Sequence, residues 1–118
     1  MNGFARIEVT ERDRACVVRI IGEIDVSNAG EIGSAIREAV PNGTSEVLVD
    51  LGGVEYLDSS GVQVLFQLVE RLRSRRQDVR MLVPQGAPIR AVLELTGLPA
   101  LVPLDGGPGS PGSPPAGS

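Results

Sequence analysis

"VDLGGVEYLDSSGVQVL", residues 49–65, changes its hydrophobic period midway. Its start belongs to the run Glu46 to Leu51, which is nearly all apolar at its centre and predicts a buried strand. Beyond it, Val62, Leu65, Phe66, Val69 and Leu72 recur at three- and four-residue steps, the inward stripe of a helix. Gln63, Gln67, Glu70, Arg71 and Arg73 then face mainly outward. A strand that feeds a helix is half of a crossover unit, so the stretch predicts an α/β fold.

The flanks extend that reading. Arg6 to Thr10 alternates as a strand, Glu11 to Arg14 is a polar turn, and Ala15 to Ile21 is a β-branched strand that pairs back. Gly22 to Asp25, "GEID", then leaves the sheet. Ser27 or Asn28 can cap a first helix, with Glu31 in its first turn. Ala29, Ile32, Ile36, Ala39 and Val40 share one face of it, and Pro41-Asn42-Gly43 stops it. Val79 to Val83 predicts a short central strand. Pro88 suits the first turn of a third helix, with Ile89, Val92 and Leu93 inside and Gly97 as terminator. Leu101 to Leu104 adds a last strand or covers the core.

The order β-β-α-β-α-β-α predicts a small mixed sheet of four to five strands. An initial hairpin is followed by right-handed β-α crossovers with the helices packed on the sheet. Residues 1–104 are expected to form the domain. Asp105 to Ser118 holds twelve Gly, Pro or Ser residues among fourteen and is expected to be a disordered tail.

Composition narrows the function. The chain has 118 residues and 42% hydrophobic content, with two Phe, one Tyr and no Trp, so the core is aliphatic. A net charge of −4 gives no general attraction to nucleic acid or anionic lipid. Arg71 to Arg80 holds five arginines and one acid without interleaved aromatics; it reads as a solvated helix end or a contact for an acidic partner. Histidine is absent, which excludes a Ser-His-Asp triad, an imidazole base and a His metal ligand. The single cysteine, Cys16, excludes an internal disulfide and a cysteine zinc site, and reads as a small core hydrophobe. Gly52-Gly53 and Gly86 precede no Gly-Lys-Ser/Thr, so no phosphate loop is expected. No catalysis, cofactor or metal is expected. No signal-like start and no 18-residue apolar run are visible, so the expected location is cytoplasmic.

Asp58-Ser59-Ser60-Gly61 carries two readings. Asp58 can cap the helix that follows, for about 1 kcal/mol. The same free amides also favour an anion, so a phosphoserine fits there while the fold persists. Extending the stripe back from Val62 and Phe66 turns Ser59 inward and Ser60 outward, which favours Ser60 as the exposed hydroxyl.

"VDLGGVEYLDSSGVQVL", whose Asp58-Ser59-Ser60-Gly61 lies about 33 residues past "GEID", set in this element order, resembles the anti-sigma factor antagonist family, or STAS domain, over about residues 5 to 104. The resemblance implies a partner switch. Ser59, with Ser60 as the alternative, would be phosphorylated by an anti-sigma factor that is itself a serine/threonine kinase. The unmodified protein binds that kinase and frees the sigma factor, and a PP2C-type phosphatase restores it. Asp25 matches the acidic position near the phosphorylated serine, and Asp58, Ser60 and Gly61 match the motif around it. The expected docking face is Asp25, Ser27, Asn28 and the helix start Asp58, Ser59, Ser60, Gly61, Val62, Gln63 and Val64. No nucleic acid or membrane partner is expected, and the chain is expected to be a monomer or weak dimer. The rival reading is a non-switching STAS subunit of a transport, lipid-trafficking or signalling assembly.

Overall fold

Strand β1 (Ala5–Arg12) and strand β2 (Ala15–Ile24) form an antiparallel hairpin, closed by a turn in which Asp13 adopts φ 55°. Aspartate tolerates that left-handed region better than most residues. The computed structural model describes residues 5–106. After the hairpin come α1 (Ala29–Ala39), β3 (Glu46–Leu57), α2 (Ser59–Ser74), β4 (Asp78–Leu82), α3 (Arg90–Leu95), α4 (Leu98–Leu101) and β5 (Leu104–Asp105). The five strands lie in sequence order, and β2 through β5 run parallel. Each crossover therefore steps in the same direction, and right-handed connections lay every helix on one face of the sheet.

That covered face is aliphatic. Cys16, Val18 and Ile20 of β2 stand beside Val47, Val49 and Leu51 of β3, and then Val79 and Met81 of β4. Against them α1 sets Ile32 and Ile36, and α2 sets Leu65, Leu68, Val69 and Leu72. The opposite face alternates charged residues with half-buried apolar ones, and no described helix covers it.

Among the described residues Gln77 is the one long polar side chain sealed into this body, at 1% exposure. Its Nε2 donates to the carbonyls of Pro41 and Thr44, each at 3.0 Å, tying the turn before β4 to the loop before β3.

Several boundaries depart from the sequence reading. "GEID" does not leave the sheet at Gly22, because β2 continues to Ile24 with Gly22 at φ 113°. Strand β3 likewise continues beyond Leu51, where the sequence reading ends it, through "GGVEYL" to Leu57. Register shifts between Arg19 and Ile21, and between Gly22 and Glu23, let two long, irregular strands stay paired. Val92, expected inside, is 38% exposed, because the third helix is a short six-residue segment that buries only Ile89 and Leu93 nearby. Gly97, at φ 84°, links α3 to α4 instead of ending the helical region. Asp105 was expected in the tail; it pairs with Leu82 and bonds to Arg80 at 2.9 Å, so ordered structure passes residue 104. The remainder of the expected tail, residues 107–118, lies outside the described residues.

Candidate functional site

The start of α2 is built by Asp58. Its backbone is extended (φ −99°, ψ −173°), which is the geometry of an N-cap. Oδ1 accepts from the amides of Ser60 at 2.9 Å and Gly61 at 3.1 Å, so the expected cap is present. Oδ2 accepts from the amide of Val26 at 3.3 Å, and the Asp58 amide donates to the carbonyl of Ile24, also at 3.3 Å. Asp58 therefore joins the end of β2 on both sides of Asp25.

Gly61 makes this approach possible. A Cβ there would stand 2.4 Å from Cδ1 of Leu57 and 3.1 Å from the carbonyl oxygen of Ile24. Only glycine lets the first turn of α2 come this close to the sheet.

The loop from β2 to α1 is organised by its own polar side chains. Oδ1 of Asp25 accepts from the Ser27 amide at 2.8 Å and from the Ser27 hydroxyl. Oδ1 of Asn28 accepts from the Asp25 amide at 3.0 Å, and its Nδ2 donates to the Glu23 carbonyl at 2.8 Å. Asn28 holds the N-cap position of α1, yet its side chain folds back into the loop rather than capping the helix. The Asp25 carbonyl accepts from the amides of Asn28 and Ala29 instead.

The two serines are placed differently. Ser59 is exposed and Ser60 is half-buried, the reverse of the helical-period expectation. The buried stripe of α2 is Gly61, Leu65, Leu68, Val69 and Leu72, rotated from the expected one. Val62 and Phe66 sit on its flank, partly buried. Ser59, Val62 and Phe66 follow one another at helical steps, so Ser59 shares that outer flank. The expected stripe lacks Leu68 and Gly61, the latter having no side chain to mark it as buried, and these two set the rotation.

Of the expected docking residues, Ser27, Ser59 and Gln63 are exposed; Asp25, Asn28, Asp58, Ser60, Val62 and Val64 are half-buried. Gly61 is buried, and Val64 lies against α1, its Cγ1 being 3.6 Å from where a Cβ on Gly33 would be. Those two support the site rather than present a surface.

Two residues beside it escaped the sequence reading. Val26 is 78% exposed and Tyr56 is 50% exposed, both uncommon for apolar and aromatic side chains. Val26 stands between Asp25 and Ser27, and Tyr56 is two residues before the cap. The signal for Val26 was an apolar residue inside an otherwise polar turn. Tyr56 gave no signal, because it lies beyond the strand expected over Glu46 to Leu51. The arginines Arg71, Arg73, Arg75 and Arg76 are exposed at the far end of α2, about 24 Å away along a 16-residue helix.

The pole therefore offers hydroxyls and carboxylates on a rigid frame. Cys16 is distant in the core, where burial first and the charge of Glu11 second push its thiol above the ordinary 9.0. No helix among the described residues is long and apolar enough to cross a membrane.

Comparison with known proteins places this geometry. Residues 6–106 match the family model described as STAS domain. An anti-sigma-F factor antagonist, RsfB, of Mycobacterium tuberculosis is 31% identical over 78% of this chain and 74% of its own length. An anti-sigma-B factor antagonist of Staphylococcus aureus is 28% identical over 86% of this chain and 93% of its own. The crystal structure of an anti-sigma factor antagonist from Mycobacterium paratuberculosis superposes with a TM-score of 0.76 at 29% identity, covering 86% of each chain.

Proposed function

The chain belongs to the STAS domain family, and from that premise we propose that it is an anti-sigma factor antagonist switched by phosphorylation of Ser59. It binds an anti-sigma factor that is a serine kinase, frees the sigma factor, and is released when that kinase esterifies its serine. A PP2C-type phosphatase resets it. The protein catalyses nothing itself. The relatives named as antagonists of anti-sigma factors support the partner. The observation that carries the choice of serine is the exposure of Ser59 against the half-burial of Ser60.

The physics of the switch follows from Asp58. A phosphate on Ser59 brings roughly −1.5 to −2 charge to the first residue of α2. The amides of Ser60 and Gly61 would suit that anion, but Oδ1 of Asp58 already occupies them. The dianion is left beside a carboxylate, with Asp25 on the adjoining loop, and projects into whatever docks there. Burying such a group unpaired at an interface costs several kcal/mol, and each 1.4 kcal/mol is tenfold in affinity. The fold persists because no buried contact is broken.

The test is a binding titration of bare protein, Ser59-phosphoprotein and Ser59→Ala against the anti-sigma factor of the same cell, with mass spectrometry locating the phosphate. Phosphoprotein should bind on the order of a hundredfold more weakly, and Ser59→Ala should bind well and resist release. Equal affinity of bare and phosphorylated protein, or phosphate found only on Ser60, overturns the reading.

A further inference from the structure

The uncovered face of the sheet is self-complementary, and we propose that it is the interface of a two-fold symmetric dimer of this chain. The inference does not depend on the proposed function.

The strand register sets the side chains of this face in rows. One row runs Arg12, Ala15, Glu46, Asp78 across β1 to β4; the next runs Thr10, Val17, Leu48, Arg80; the third runs Glu8, Arg19, Asp50, Leu82. A second copy can be laid on this face by a two-fold axis running along the strands between β2 and β3. That operation exchanges β1 with β4 and β2 with β3 while keeping each row in place. Arg12 then meets Asp78, Arg19 meets Asp50, and Val17 meets Leu48 on the axis. The other pairs, Thr10 with Arg80, Glu8 with Leu82 and Ala15 with Glu46, bring no like charges together. Each contact occurs twice, as an isologous interface requires.

The relief of the face agrees with that placement. A depression of about 270 Å³ spans β2 to β5 on this face, its lining including Val17 and Leu48 together with Glu46, Asp78, Arg80 and Asp105. An apolar centre within a charged rim is the anatomy of a protein interface, and two sheets stack face to face with side chains interdigitated. The parts of the chain outside the described residues, 1–4, "MNGF", and 107–118, "GPGSPGSPPAGS", hold no charged side chain and so cannot complement the rim. Ser59 belongs to the helix-bearing side, so the dimer leaves both copies of it accessible.

Sedimentation of the full chain tests this. The wild type should show a concentration-dependent dimer that weakens as salt rises. Arg12→Asp and Asp78→Arg should each raise the dimer Kd at least about tenfold, since each creates like-charge contacts twice. The double variant should return to within about threefold of wild type. Within one copy Arg12 and Asp78 are three strand spacings apart, about 14 Å, so recovery reports a contact between copies. Urea titration of each variant confirms that it folds. A chain monomeric up to about 1 mM, corresponding to no more than about −4 kcal/mol of association, overturns the proposal. So does a double variant as weak as the singles, or association that appears only when residues 107–118 are removed, which assigns the face to the tail.

Discussion

The carboxylate of Asp58 and the amide of Val26, 3.3 Å apart, connect two elements that are 32 residues apart in sequence. The other oxygen of the same carboxylate caps α2, so one side chain fixes both the helix start and the loop that carries Asp25. Geometry at Ser59 is thereby set by a residue that need not touch a partner.

Asp58→Ala should therefore lose a cap and an inter-element hydrogen bond together, about 1–2 kcal/mol of stability. The urea midpoint should fall with an unchanged slope. Amide exchange should accelerate at Val26 as well as at Ser60 and Gly61. Acceleration at Ser60 and Gly61 alone would mean that the Val26 bond contributes nothing in solution.

Gly61 and Gly30 form an internally controlled pair. Gly61→Ala drives a Cβ to 2.4 Å from a leucine methyl and 3.1 Å from the Ile24 carbonyl. The methyl can swing away but the backbone cannot, so the cost should be about 1–3 kcal/mol. Gly30→Ala meets nothing within 4 Å in the first turn of α1 and should stabilise by about 0.5–1 kcal/mol. Thermal melts should move in opposite directions; a neutral Gly61→Ala would show that α2 can lift from the sheet.

How much of this was legible beforehand depended on whether side-chain period or backbone geometry decided the position. The hairpin, the crossovers, the aliphatic core and the Asp58 cap follow from patterns one side chain wide. Reading the strand to stop before "GGVEYL" failed because glycines normally end strands, whereas here β3 takes up one extra residue at each of two register shifts against β2, and Tyr56 and Leu57 stay paired. The orientation of the serines failed for a related reason. Gly61 has no side chain to register as buried, yet its proximity to Leu57 and Ile24 sets the rotation of α2 and turns Ser59 outward. Val26 offered only the signal of an apolar residue in a polar turn, and its exposure beside the site follows from tertiary placement.

Val26 and Tyr56 should supply docking affinity in the proposed complex. Both are exposed and close to the cap in sequence, Val26 between Asp25 and Ser27 and Tyr56 two residues before Asp58, and tyrosine is among the residues enriched where binding energy concentrates. Val26→Ser and Tyr56→Ser should each weaken binding of the anti-sigma factor about tenfold, roughly 1.4 kcal/mol, with folding stability little changed. Calorimetric titration beside urea denaturation separates the two effects. Full affinity in both variants would confine the docking face to the polar residues.

The pH dependence of stability should carry a contribution from Cys16. Its thiol is buried in β2 against the helices, and its pKa in the folded chain is raised above the ordinary 9.0, first by desolvation and then by Glu11. A raised pKa means that the folded state holds this proton more tightly than the unfolded state does. The associated stability is complete below pH 9.0, where both states are protonated. As pH climbs past that value the unfolded thiol ionises first and the unfolded state gains, until the folded thiol ionises too. Wild type should therefore lose stability above that point more steeply than Cys16→Ala, whose own deficit of about 1 kcal/mol from the smaller core side chain is independent of pH. Urea titrations of both proteins, at neutral pH and at steps above pH 9.0, should show the gap between them narrowing on the alkaline side. A gap that stays constant would mean that the folded thiol titrates like a free one, open to water at the edge of the sheet.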